Sequence, residues 1–113
     1  MTPASPRNQL LYGTLDLLIL RTLVYGPAHG HAIAGHIQRV SEDALRIETG
    51  SLYPALHRLE ARGWIAAKWK TSDKGKRARY YRLTRTGRRQ LAVEQSRWQQ
   101  LSVAVTRVLR PAD

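Results

Sequence analysis

Between residues 68 and 89 stand ten basic side chains, Lys68, Lys70, Lys74, Lys76, Arg77, Arg79, Arg82, Arg85, Arg88 and Arg89, against the single acid Asp73. Ten bases less one acid give this segment +9 of the chain's +11, and residues 1–67 and 90–113 carry only +1 each. A solvated charged face mixes both signs, so a one-signed segment on a near-neutral body suits a polyanion partner. Nucleic acid is the obvious candidate.

Other chemistries find less support. The four histidines, His29, His31, His36 and His57, are not joined by an acid or a cysteine at ligand spacing, so no metal site and no cofactor is expected. The sequence shows no serine or cysteine nucleophile arrangement, no glycine-rich phosphate loop and no paired carboxylates, which argues against an enzyme. With no cysteine among 113 residues, neither disulfides nor thiolate zinc can staple the chain. A reducing cytoplasm fits that composition. The start, MTPASPRNQ, lacks a basic region followed by an apolar stretch, and the apolar run at residues 17–20 stops at Arg21, so no membrane association is expected. The length suits one small domain.

Local patterning supplies the elements that hold the basic segment. In GTLDLLILRTLVYG, Thr14 is a candidate N-cap, Asp16 favours the first turn, and Gly26-Pro27 closes the helix. This helix is apolar on more than one face, with Leu11, Leu15 and Leu18 on one side, so it has a face to spare for a second subunit. A second helix follows in HGHAIAGHIQRVS, where Ile33, Ile37 and Val40 form a buried stripe. The histidines 29 and 31 shape its entry, and LRI at residues 45–47 reads as a brief extended segment. In TGSLYPALHRLEARGWI, Leu52, Leu56 and Leu59 recur at helical spacing, and Thr49 or Ser51 can cap the start. Pro54 then falls near the first turn, where few N–H groups have intrahelical partners to lose. Gly63 ends this third helix.

The segment IAAKWKTSDKGKRARYYRLT reads as a β-hairpin with a basic tip at Lys74, Gly75, Lys76 and Arg77. Trp64 and Trp69 are assigned to core and hairpin packing. Three helices followed by a hairpin is the order of a winged helix-turn-helix. A third helix that buries its leucines while presenting Ser51, Tyr53, Pro54, His57 and Arg58 can lie in a major groove, with the hairpin on neighbouring phosphates or in the minor groove. The expected DNA-binding set is therefore Ser51, Tyr53, Pro54, His57, Arg58, Lys74, Lys76, Arg77 and Arg79. Arg85, Arg88 and Arg89 are read as solvating the start of the next helix.

The stretch GSLYPALHRLEARGWI, with GPAHGHAIAGHI before it and RYYRLTRTGRRQL after it, resembles the PadR family of bacterial transcriptional regulators. The resemblance runs from about residue 13 to residue 91. It implies a winged helix with a C-terminal dimerisation helix, and repression of a neighbouring operon that a small molecule relieves. The family usually has tyrosine where this chain has His31. Because the chain ends soon after one C-terminal helix, it resembles the short branch, whose members can bind planar aromatic compounds at the dimer interface.

That final helix also follows from pattern alone. Capped at Thr84, it runs to Leu109, with heptad position a at Leu91, Trp98 and Val105 and d at Glu94, Leu101 and Val108. The expected dimer interface is Leu11, Leu18, Leu91, Trp98, Leu101, Val105 and Val108. Trp98 reads either as interface packing or as the wall of an effector pocket completed by Leu101 and Leu15. The fold expected is mainly α (α+β): an N-terminal arm over residues 1–13, a winged helix-turn-helix over 14–84 and a dimerisation helix with tail over 85–113. The expected partners are double-stranded DNA with a near-palindromic operator, a second copy of the chain and a small aromatic effector. A nucleic-acid binder blind to sequence, architectural or RNA-directed, is the alternative, because the basic hairpin alone would suffice for it.

Overall fold

The computed structural model describes residues 6–112, with side chains from residue 13 onward. Four helices and a small antiparallel sheet follow in the order α1 (Pro6–Thr22), a 3-10 turn (Leu23–Tyr25), β1 (Ala28–His29), α2 (Gly30–Val40), α3 (Thr49–Ala61), β2 (Ile65–Thr71), β3 (Arg77–Leu83) and α4 (Arg85–Leu109). The sheet order is β1-β3-β2, with Ile65 opposite Leu83, Trp69 opposite Arg79 and Thr71 opposite Arg77. This is the winged-helix architecture, and it belongs to the mainly α, α+β class.

One core joins these parts. Ile19, Leu20 and Leu23 from the first helix and its turn meet Ile33 from α2, Leu56 and Leu59 from α3, and Ile65 from the wing, all essentially inaccessible to solvent. Leucine and isoleucine at helical spacing on three helices bury one stripe each, and this burial drives the assembly. Among the described residues no helix is long and apolar enough to cross a membrane.

Three local expectations change. The first helix begins at Pro6, so Thr14 lies within it and does not cap it. Val40 is largely exposed, because it is the last residue of α2, where the chain turns away through Glu42 and Asp43 in left-handed conformations. Residues 45–47 belong to no helix or paired strand. The third strand comes from β1, which pairs with β3 through Ala28 opposite Tyr81 and His29 opposite Tyr80. Two residues are too few to leave a strand pattern in the sequence.

Candidate nucleic-acid interface

Helix α3 is defined sharply at both ends. Glu48 occupies the N-cap position without a side-chain bond, and Pro54 sits inside the helix on its exposed side. At the other end Trp64 donates to the Leu59 carbonyl and Gly63 to that of Glu60, with Gly63 at φ 76°. This is a Schellman motif, and its left-handed residue favours glycine. Leu52, Ala55, Leu56 and Leu59 are buried, which leaves Gly50, Tyr53, Pro54, His57 and Ala61 as the solvent stripe.

The expected DNA-binding residues of α3 divide between two faces. Tyr53, Pro54 and His57 point outward together. Ser51 instead lines a cavity of about 310 Å³ with Leu15, Leu18, Leu45 and Ile47, on the flank beside α1. Arg58 also turns to α1, where its guanidinium donates to Asp16 at 2.9 Å. Seven residues separate Ser51 from Arg58, two helical turns, so both ride the same flank. Both are half-buried and lie on the flank beside α1, next to the outward stripe. Burial pushes the Asp16 carboxyl above its ordinary value despite the pull of Arg58.

The wing carries the cations. Its turn is closed by Ser72, whose N–H donates to the Lys76 carbonyl at 2.7 Å and whose hydroxyl accepts from the Lys76 N–H at 3.2 Å; Gly75, at φ 77°, supplies the left-handed residue. Lys74, Lys76 and Arg77 are exposed around this tip. Arg79 differs, since it donates to Glu60 at 2.7 Å and lies over Tyr81, so it fastens the wing to α3. Its charge is already partnered.

Between α3 and the wing lies an open cleft of about 740 Å³. Tyr53 and His57 form one wall, Trp69, Lys76 and Arg77 the other, and His29, Gly30 and His31 close one end. His29 caps α2, its Nδ1 accepting from the Ala32 N–H at 3.1 Å, and its ring meets the Tyr80 edge at 5.3 Å. Histidine at the entry of α2 thus has a capping role. Among the described residues no three histidines, aspartates or glutamates gather where they could hold a metal ion.

Trp69, expected only to pack the hairpin, lines this cleft. It is 55% exposed, and the Arg77 guanidinium lies 5.2 Å from its ring centroid. A signal existed: Ile65, Ala67 and Trp69 share one face of β2, and Trp69 continues that face beyond the end of the core.

The last helix separates its heptad seam into two parts. Leu91 is buried in its own domain's core, so it is withdrawn from the expected dimer interface. Glu94 accepts from Gln90 and pairs with Arg97 on the same helix. Beyond it Trp98, Leu101, Val105 and Val108 are 46%, 41%, 46% and 82% exposed along one side. Leu15, expected beside Trp98, is also a core residue, because α1 turns it inward. Leu18 is partly buried against the core, and the Leu11 side chain lies outside the described residues.

Comparison with known proteins agrees with this architecture. Residues 19–93 match the model of the transcriptional regulator PadR-like family. The chain is 37% identical over 65 residues to the transcriptional regulator Rv3488 of Mycobacterium tuberculosis, covering 58% of this chain and 60% of that one. A transcriptional regulator from Clostridium thermocellum superposes with a TM-score of 0.82 at 25% identity, over 90% of this chain and 99% of the other. A PadR family transcriptional regulator from Eggerthella lenta does so at 0.76 with 33% identity, over 92% and 88%. A winged helix, a basic hairpin and a family match across most of its length lead to one conclusion: this chain belongs to the PadR-like family of transcriptional regulators, which are not enzymes.

Proposed function

We propose that two copies of this chain bind a near-palindromic DNA operator and repress a neighbouring operon, working in the cytoplasm. The observation that carries the reading is the placement of Tyr53 and His57 across one cleft from the cationic wing, with Pro54 exposed beside them. A helix so displayed fits the major groove, and Lys74, Lys76 and Arg77 then meet phosphates. Residues 14–84 form the reading unit. Residues 85–113 pair the subunits through Trp98, Leu101, Val105 and Val108, which is supported by their exposure on one helix side. A planar aromatic effector stacks on Trp98 beside Leu101, and relieves repression only so far as it prefers a dimer whose α3 helices are spaced wrongly for DNA.

The test is a salt series of the purified protein on its own upstream DNA, with equal-length random DNA as competitor. A complex of two chains per site that survives competition is the expected result. Equal binding to both DNAs, lost together as salt rises, would sink the operator reading and leave a sequence-blind binder.

A further inference from the structure

We propose that the cleft between α3 and the wing is a saddle for the sugar–phosphate ridge of duplex DNA, in which Trp69 packs on a deoxyribose and holds Arg77 toward the adjacent phosphate. This rests on the reading of α3 as the helix in the major groove. With α3 in one groove and the wing over the next, the ridge between the grooves has to pass through the space separating them. That space is the 740 Å³ cleft, within the size range of pockets that hold a small molecule.

Its walls suit a sugar and a phosphate. Trp69 offers a large apolar surface that is 55% exposed although it lies on the face of β2 that begins buried at Ile65. The core has ended there, and its own fold leaves half of the ring uncovered. Arg77 lies over this ring at 5.2 Å, and among the described residues no carboxylate pairs with it. A cation–π contact orients a guanidinium without cancelling its charge, so Arg77 keeps a full positive charge in a restricted set of positions. Arg79, opposite Trp69 in the sheet, is neutralised by Glu60 and serves the fold.

The facing wall is also fixed. A Cβ built on Gly30 would come within 2.9 Å of the Tyr53 hydroxyl and 3.0 Å of its ring, so the hydroxyl end of Tyr53 packs closely against the first residue of α2. Two aromatic walls with a cationic rim match a ridge that is apolar at the sugar and anionic at the phosphate. The charge continues from the cleft to the wing tip, which favours DNA over a protein or a free aromatic compound as occupant.

An aromatic–sugar contact leaves a mark that charges do not. Phosphate contacts release counterions and steepen the salt dependence, whereas packing on a sugar does not. The experiment measures affinity by fluorescence anisotropy against salt for the wild type, Trp69→Ala, Trp69→Phe and Lys76→Ala, on the upstream duplex and on random duplex. Because the ridge is alike in all sequences, Trp69→Ala is expected to weaken binding to both by about tenfold, the scale of one aromatic contact to a nucleotide, and to flatten the salt slope by no more than the single phosphate contact of Arg77. Trp69→Phe should recover most of the affinity while losing the DNA-induced change in tryptophan fluorescence. Lys76→Ala should flatten the slope by about one.

Binding by Trp69→Ala within twofold of wild type on both duplexes overturns the saddle and leaves the operator reading standing. An unchanged DNA-induced fluorescence response in Trp69→Phe overturns it as well. Loss of sequence preference in the wild type, with the Trp69 effect intact, strikes the operator reading alone. Absence of any wild-type complex with DNA overturns both.

Discussion

Asp16 is the acid at which α1 meets α3, only 13% exposed in its side chain, and Arg58 reaches it from α3. The 2.9 Å contact alone would argue for a depressed carboxyl pKa, yet burial outweighs it and holds the group above its ordinary 3.8. Arg58 is 35% exposed and shares its charge with water, so its attraction does not offset the lost hydration of the carboxylate. A group raised in the folded state contributes stability below its ordinary pKa and loses that contribution as pH rises through the folded value. Asp16→Asn should therefore match the wild type near pH 3 and become relatively more stable as pH rises toward neutrality, read from urea midpoints across that range. A variant that loses ground instead would show that the ion pair dominates.

At the scale of elements, the joint between the wing and α4 depends on a backbone without a side chain. Thr84 caps α4 by accepting from the Gly87 N–H at 3.0 Å, while its own N–H donates to the Trp64 carbonyl at 3.1 Å. A Cβ on Gly87 would overlap that same carbonyl and meet Leu83 Cδ1 at 2.8 Å. Alanine normally favours a helix over glycine by about 1 kcal/mol. Here the neighbour is backbone and cannot step aside, so Gly87→Ala should destabilise by about 1–3 kcal/mol, the range for overpacked sites. Chemical denaturation tests this, and a neutral result would mean that α4 leaves the wing at another angle.

At the scale of the whole molecule, α4 makes the chain 61 Å long and 32 Å across, far from a sphere. From Gln95 to Ala112 every residue is exposed, so the apolar seam there has no partner among the described residues. Pairing through that seam places Leu101 at a d position facing its copy. Leu101→Asp should then leave a folded monomer, with the mass from light scattering halved and the thermal transition of the reading unit kept. DNA affinity should fall by about tenfold or more, since the two half-sites no longer act as one. A dimer that survives this change would place the interface elsewhere.

The order of three helices and a hairpin is legible in the chain, because helical spacing of leucines, the Thr84 cap, the Gly63 stop and the alternation in β2 are local signals. It also located the charge, since net charge is a property of composition along the chain. Tertiary structure decided which of those side chains are available. Ser51 and Arg58 share a residue class with good DNA ligands, but only the packing of α1 on α3 shows that they face Asp16 and an apolar cavity. Leu91 fits its heptad, yet the first turns of α4 lie on the core and bury it there. Trp69 reads as packing until the hairpin is seen to overhang α3, which leaves its ring uncovered beside Arg77. Periodicity assigns a residue to a face of its own element; what covers that face depends on contacts distant in sequence, which no local pattern encodes.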